Sequence, residues 1–533
     1  MINKSNLRSK IFKHLDGLAV APVIVALEQK GVLGTFKKDN SQSLKTLTQK
    51  FNANQGYLNI ALRILCSQGF LEQQIDNNDV NYNITPRGKI AFTMTSMYKD
   101  VVKFLKISSK YDLKNFEFEP FQVWNTIYKK FTSNYNINFS EDKNTRAIQE
   151  NILTHIEGYL VAPTIVRLGM SGMFHKYFME TSFRPEEFHR HPEKFIKILK
   201  FFTFIGWFTE KNGTFQFTDT GLFFAKRAAA YGVTVSYFPT FSKIDELIFG
   251  NASILRNILD SEDEVHVDRE MNVWGSGGAH STYFKVIDSI IIELFNKPIN
   301  EQPKGILDMG CGNGAFLKHI FDVIDRQTLR GTMLDDHPLC LVGVDYNNAA
   351  LKVTRANLIK DDIWAKVIWG DIGKPDHLAK DLQENYDIDL KDLLNVRTFL
   401  DHNRIWQEPD KITKNRVSNS SGAFAYRGKR ITNDKVEDNL LAHLKKWAPF
   451  VKKFGLLIIE LHTIKPEIAA VNIGKTAVTA YDATHGFSDQ YIVEIDVLHK
   501  ICAEAGLFPD EKFFKKFPDK DYATVSINLL KGK

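Results

Sequence analysis

Apolar positions recur at helical spacing through residues 16 to 27, DGLAVAPVIVAL, and again through residues 157 to 168, EGYLVAPTIVRL. Gly, Val, Ala, Pro, Ile, Val and Leu stand in register 141 residues apart, the pattern of an internal duplication. Each copy continues alike. A short helix ends at a glycine and an apolar residue (Gly31-Val32, Gly172-Met173), and a second helical pattern follows, ALRILCSQGF or FIKILKFFTFIGWF. Two short strand-like runs then close on Ile84-Thr85-Pro86-Arg87-Gly88 or Phe217-Thr218-Asp219-Thr220-Gly221. Helix, turn, helix and β-wing in that order predict two winged-helix-like repeats, over 1–100 and 146–232, joined by a helical linker over 101–145.

A winged helix that reads DNA needs basic and amide side chains on its recognition helix. Here Phe195, Ile196, Ile198, Leu199, Phe201 and Phe202 fill that helix in copy two, and Arg63 is nearly alone in copy one. The pattern favours a packing or dimerisation module that also roofs a cavity. A DNA-binding regulator stands as the alternative of another class.

From about residue 285 the periodicity changes to strands alternating with amphipathic helices. Strand-like runs fall at Gly305 to Met309, Leu341 to Asp345, Ala365 to Trp369, Asp392 to Thr398, Gly455 to Leu461 and Tyr522 to Leu530. This predicts an α/β fold, a Rossmann-like doubly wound domain over 285–533, after a mainly helical duplicated region and a linking, cofactor-covering segment over 233–284. The polar run 403–433, containing SNSSGAFAYRGKR, is long for a connection and reads as a lid insertion. Arg404, Arg427 and Arg430 within it are candidates to meet a carboxylate or a carrier's phosphopantetheine phosphate, with solvated loop charges as the alternative.

Composition narrows the class. The 533 residues are 44% apolar and 25% charged, which excludes a disordered or fibrous chain. No apolar run is long enough to span a bilayer, and the start, MINKSNLRSKIFKHL, lacks the apolar centre of a secretory signal, so a cytoplasmic protein with no membrane partner is expected. Cys66, Cys311, Cys340 and Cys502 form no CxxC pair and read as small core residues. The net charge of +6, from 69 basic and 63 acidic residues without a basic block, does not call for nucleic acid.

The strongest chemical signal is Gly305-Ile-Leu-Asp308-Met-Gly310-Cys-Gly312-Asn-Gly314, an apolar strand running into three alternate glycines before an amphipathic helix. Alternate glycines permit positive φ and close approach of a ligand to the backbone. The GxGxxG spacing of a dinucleotide site is absent. Asp345 ends the next strand, where a carboxylate can accept both ribose hydroxyls. Asp371 ends the third, suited to an adenine amino group with Ile372 beside the ring. An adenosine held without a phosphate-binding Lys points to a cationic ligand. A degenerate copy that binds nothing, a silent scaffold, is the competing reading.

At these residues the sequence resembles the class I S-adenosylmethionine-dependent methyltransferases, and Asp308, Gly310, Gly312, Gly314, Asp345 and Asp371 fall on that family's cofactor motifs. Further stretches, from His266 through Trp274 to His280, Leu393 to Arg404, Gly422 to Arg427, Glu460-Leu-His462 and Thr484-His485 to Gln490, resemble the C-methyltransferase domains of bacterial polyketide synthase modules of the saxitoxin and apratoxin type. The likeness is dense over roughly 260–533 and looser over the duplicated half. It implies S-adenosylmethionine as cofactor and a malonyl or β-ketoacyl group as methyl acceptor, on an acyl carrier protein or as a small molecule, with a homodimer as a further expectation.

Three histidines converge on the carboxyl edge of the predicted sheet, where ligands of open α/β sheets sit. His402 follows the fourth strand, His462 ends the fifth and His485 lies in the following loop with Gln490. A neutral imidazole can take the proton whose loss makes a carbon nucleophilic. His402, His485 and Gln490 offer two imidazoles and an amide oxygen for a catalytic metal with open positions, and metal-dependent members of the resembled family make iron or manganese the expected ion. His462 is then the spare base. The rival reading is a metal-free site with one histidine as base, and O-methylation of a small metabolite is the alternative activity.

Overall fold

The computed structural model describes residues 3–76, 79–255 and 264–533, and the side chains of all of these except 278–282, so that the His280 end of the quoted motif lies outside the described side chains. The chain divides into two compact units. The first takes residues 1–279 with two later returns, 423–430 and 465–488; the second takes 280–422, 431–464 and 489–533. None of the described helices is long and apolar enough to cross a membrane.

In the first unit the duplication appears as paired elements. Copy one has α1 (Lys4–Lys30), α2 (Gln55–Ser67) and the hairpin strands β1 (Leu71–Asp76) and β2 (Asp79–Ile84). Copy two has α3 (Lys143–Met170), α4 (Pro192–Phe204), β3 (Phe208–Lys211) and β4 (Thr214–Phe217). Helices α1 and α3 cross where both repeats carry glycine: a Cβ on Gly17 would lie 2.4 Å from His155 Cα, and one on Gly158 would lie 2.8 Å from the His14 carbonyl oxygen. Around the crossing the copies exchange partners. His14 Nδ1 meets the Tyr231 hydroxyl at 2.8 Å and His155 Nδ1 meets the Tyr98 hydroxyl at 2.8 Å. The two histidines are 141 residues apart and the two tyrosines 133, so the exchange is reciprocal, as between the protomers of a two-fold dimer fused into one chain. Burial lowers both histidines, His155 to about 3, which keeps them neutral inside the helix pair.

The crossing makes a stability prediction of opposite signs at two glycines. Gly17→Ala drives a methyl into backbone and is expected to cost about 1–3 kcal/mol, as overpacking does. Gly34→Ala, in a helix with nothing within 4 Å of the new methyl, is expected to be neutral or stabilising. Thermal melts of the two variants check it, and equal melting temperatures would contradict the close approach.

The α2 helix is buried from Gly56 to Ser67. Residues returning late in the chain cover it: Gly56 donates to the Gly428 carbonyl at 2.8 Å, Arg63 pairs with Asp482, and a Cβ on Gly486 would lie 2.9 Å from Ile60. Copy one therefore has no open recognition helix to enter a groove, and α4 of copy two turns Phe195, Ile198, Leu199, Phe201 and Phe202 inward. The DNA-binding alternative loses the recognition helix of copy one for this reason.

The second unit is built on one eight-stranded sheet. Its parallel strands are β5 (Gly305–Met309), β6 (Cys340–Asp345), β7 (Lys366–Trp369), β8 (Leu393–Thr398) and β9 (Leu456–Leu461). The remaining strands, β10 (Leu507–Pro509), β11 (Lys515–Phe517) and β12 (Val525–Gly532), are antiparallel, β12 lying beside β9. The order is β10-β12-β9-β8-β5-β6-β7, with β11 also on β12. Helices Ala315–Gln327, Asn348–Lys360 and Pro375–Tyr386 follow β5, β6 and β7, as in a doubly wound sheet. Every residue of β5 and of β9 is buried, which is why these strands read in the sequence as apolar runs interrupted only by Asp308 and Glu460.

The insertion expected over 403–433 is divided between the units, its hairpin tip 423–430 going to the first. The part in the second unit is tied down. Arg416 pairs with Asp438 at 2.8 Å, Glu437 at 3.1 Å and Glu504 at 2.5 Å, and the Ser421 hydroxyl donates to Glu494 at 2.6 Å. Arg404 corrects the sequence expectation of a phosphate-facing arginine: it is buried, and donates to Asn439 Oδ1 at 2.6 Å and to the Asp401 carbonyl at 2.9 Å.

Candidate active site

The glycine turn at the end of β5 has φ of +80° at Gly310, +56° at Gly312 and +79° at Gly314, a region that side chains disfavour. The three do different work. A Cβ on Gly310 would lie 3.0 Å from Leu400 Cδ2 and one on Gly314 3.1 Å from Thr354 Cγ2, whereas nothing stands within 4 Å of a Cβ on Gly312. The first and third glycines permit packing, and the middle one faces open space. Asp345 sits against this turn: its Oδ2 accepts from the Gly312 N–H at 3.0 Å and its Oδ1 from the Asn347 N–H at 2.8 Å.

Below the turn, Asp308 is 2% exposed and its Oδ2 has no hydrogen-bond partner. Burial, with the nearby Asp345 charge adding to it, pushes this carboxyl up to about 8. An orphaned buried acid beneath an open glycine cradle suits a cationic ligand, so the residues present fit S-adenosylmethionine. Asp371 and Ile372 follow β7. Asp371 Oδ1 accepts from the Gly373 N–H at 2.8 Å, and the Ile372 carbonyl accepts from Trp447 Nε1 at 2.7 Å. Sequence reading passed over Tyr346 and Trp369, whose rings lie 5.4 Å apart between the two acidic strand ends, with Trp369 Nε1 donating to the Tyr346 carbonyl at 2.9 Å. Their signal was position alone, one just after Asp345 and the other just before Gly370-Asp371.

Asp308 carries a pH prediction. In the unfolded chain its carboxyl titrates near 3.8, whereas in the native protein it holds its proton to about 8, so the folded state binds more protons between these values. Its contribution to stability is therefore complete below the unfolded value and lost as pH rises through the native one. Melting temperatures from pH 5 to 9 should show Asp308→Asn gaining on the wild type as pH rises, and a constant difference would refute the buried neutral acid.

The fourth strand end is bent by Phe399, a bulky residue at φ +54° whose N–H donates to the Ile459 carbonyl at 2.7 Å. Left-handed backbone at such a residue stores strain and marks sites where direction matters. Here it turns the chain so that the segment 401–403 meets the end of β9. Glu460 Oε2 accepts from the Asp401 N–H at 3.0 Å, and Glu460 Oε1 lies 2.5 Å from His402 Nδ1. Both side chains are about nine-tenths or more buried. A carboxylate on Nδ1 selects the tautomer whose lone pair is on Nε2. Asp401 is held well below the usual carboxylate range: burial raises it, but Arg397 at 2.5 Å and His443 at 2.9 Å outweigh that. Glu460, Asp401, Arg397 and His443 were missed as site residues because their pairing spans two strands and a helix.

The other histidines do not join this dyad. His462 is fully buried with both ring nitrogens engaged, Nδ1 with the Val493 carbonyl at 2.9 Å and Nε2 with the Ser526 hydroxyl at 2.7 Å, and burial lowers it to about 4. That corrects its expected part as spare base; it braces β9 on β12. His485 ends the helix Val478–Gly486 in the first unit, its Nδ1 2.8 Å from the Tyr481 carbonyl, whereas His402 and Gln490 belong to the second unit. Neither unit thus contains the set His402, His485 and Gln490, and among the described residues no group of three or more His, Cys, Asp or Glu is arranged to hold a metal.

Comparison with known proteins agrees with the architecture. Residues 264–528 match the family described as the AprA MT2-like domain, residues 157–251 the AprA winged helix domain and residues 7–73 the AprA N-terminal domain. No curated protein matches the chain in sequence. Similar solved structures include human N-acetylserotonin methyltransferase in complex with SAM (12% identity, 74% of this chain and 100% of that one, TM-score 0.45). The mitomycin 7-O-methyltransferase MmcR is similar at 11% identity over 73% of this chain and 98% of that one, TM-score 0.43. The CurJ carbon methyltransferase is similar at 12% identity over 78% and 99%, TM-score 0.32.

Proposed function

We propose that this chain, which belongs to the S-adenosylmethionine-dependent methyltransferases with an AprA MT2-like domain, methylates the acidic carbon of a malonyl or β-ketoacyl thioester. The observation that carries the reading is the buried His402–Glu460 dyad at the carboxyl end of β8, the strand beside the glycine turn of β5. In this reading Gly310, Gly312 and Gly314 cradle the cofactor, Asp308 offsets its charge once the bound cation favours loss of the acid's proton, Asp345 takes the ribose hydroxyls, and Asp371 with Ile372 holds the adenine. The bound cofactor supplies an electrophilic methyl group. His402 Nε2 takes the proton from the carbon between two carbonyls, and Glu460 stabilises the resulting imidazolium through Nδ1–H. The proton stays on the imidazole until it passes to solvent, and the carbon's electron pair would form the new bond to the methyl as the methyl–sulfur bond breaks, its electrons staying on the sulfur of the leaving thioether.

A cytoplasmic acyl carrier protein is the natural bearer of such a thioester. The test is incubation of the full chain with labelled S-adenosylmethionine and a panel of malonyl- and acetoacetyl-pantetheine, the free acids and phenols, read by mass spectrometry. Methylation of the thioesters at carbon supports the proposal; methylation of phenols alone would replace it with O-methylation, for which the same dyad would deprotonate a hydroxyl. Iron or manganese on His402, His485 and Gln490 is a separate reading, tested by elemental analysis of the purified protein and of His485→Ala.

A further inference from the structure

Buried side chains connect the segment after β7 to the dyad after β8. The Ile372 carbonyl accepts from Trp447 Nε1 at 2.7 Å, and the Arg397 guanidinium lies over the Trp447 ring with its Cζ 4.1 Å from the centroid. Arg397 Nη1 donates to Asp401 Oδ1 at 2.5 Å, and His443 Nε2 meets the same oxygen at 2.9 Å. The Asp401 N–H donates at 3.0 Å to the Glu460 carboxylate that holds His402. Arg397 is 1% exposed and Trp447 0%. Arg397 Nε and Nη2 have no hydrogen-bond acceptor, so the aromatic face is what offsets their burial, an interaction that strengthens away from water. With no solvent to rescue either partner, the guanidinium keeps its place only while both Asp401 and the ring keep theirs.

We propose that Trp447, Arg397 and Asp401 are positioning residues that couple the Asp371–Ile372 end of the cofactor site to the His402–Glu460 dyad, so that an occupied adenine end and a placed base favour one another. This rests on the reading that Ile372 flanks the adenine and that His402 takes the proton. Coupling of this kind is reciprocal in binding free energy: disturbing Asp401 must weaken the cofactor's hold just as the cofactor steadies Asp401. Asp401 also neighbours Leu400, which packs on Gly310, so weakening alone does not establish the route through the ring.

A double-mutant cycle separates the two routes. S-adenosylhomocysteine is titrated calorimetrically into the full chain. Asp401→Asn, which keeps the shape and loses the charge, is expected to weaken binding about tenfold, inside the usual span of such couplings. Trp447→Phe, which keeps a ring under Arg397 and loses the N–H to Ile372, is expected to weaken binding as well, and the double variant to bind no worse than Trp447→Phe alone. Binding by Asp401→Asn within twofold of the wild type, or fold-changes that multiply in the double variant, would overturn the proposal. His443→Gln gives the same readout if Asp401→Asn does not fold. Full turnover in His402→Gln would instead refute the base, leaving these binding ratios standing.

Discussion

His402→Gln is expected to reduce methyl transfer by about 10²–10⁴-fold, the usual contribution of a positioned general base, while cofactor affinity changes by no more than the roughly tenfold expected of the coupling through Asp401. The reason is the separation of parts. The residues proposed to hold the cofactor follow or end β5, β6 and β7, whereas His402 follows β8 and touches Glu460. Glu460→Gln should cause a comparable loss in turnover, because an amide oxygen that keeps the Asp401 N–H turns the amide NH2 toward His402 Nδ1 and so selects the tautomer with its proton on Nε2. His462→Ala should behave differently, lowering the melting temperature through the orphaned Ser526 hydroxyl and Val493 carbonyl. Single-turnover rates with saturating cofactor, beside calorimetric affinities, distinguish these outcomes. A His402→Gln variant that binds cofactor and turns over at the wild-type rate would remove the base from the mechanism.

Gly312→Val is expected to abolish measurable cofactor binding in a protein that still folds. Its Cβ would meet no protein atom within 4 Å, so the new side chain occupies the space beside the turn where a ligand must lie. The left-handed φ of +56° adds strain to a β-branched residue, about 1–3 kcal/mol for a backbone outlier. Gly310→Val makes the contrast: it meets Leu400 at close range and should fail first in stability. Asp345→Ala should weaken binding by about 1–3 kcal/mol, both by losing a charged acceptor and by releasing the Gly312 N–H. Calorimetry with S-adenosylmethionine, alongside thermal melts, reads all three, and undiminished binding in Gly312→Val would overturn the assignment of the turn.

The residues legible in the sequence are those whose chemistry depends on local order. The duplication shows because one helix crossing, built twice in the chain, needs the same small residue at Gly17 and Gly158. Strands β5 and β9 show because burial on both faces leaves runs that are apolar but for Asp308 and Glu460. The glycine turn and the acidic strand end at Asp345 show because a positive-φ turn and a capped N–H call for those residue types next to those strands. Pairing across elements did not show. His402 and Glu460 are 58 residues apart and meet because β8 and β9 are parallel neighbours whose ends coincide. His462 stands at a strand end, where a base would be expected, yet antiparallel β12 brings Ser526 against its ring and closes it off. His485 and Gln490, five residues apart, fall in different units, 465–488 going with copy one and the chain from 489 with the sheet. Periodicity and turn chemistry are written in neighbouring residues, whereas register and the choice of partner come from burying distant segments together, and that burial made a dyad of one histidine and a brace of another.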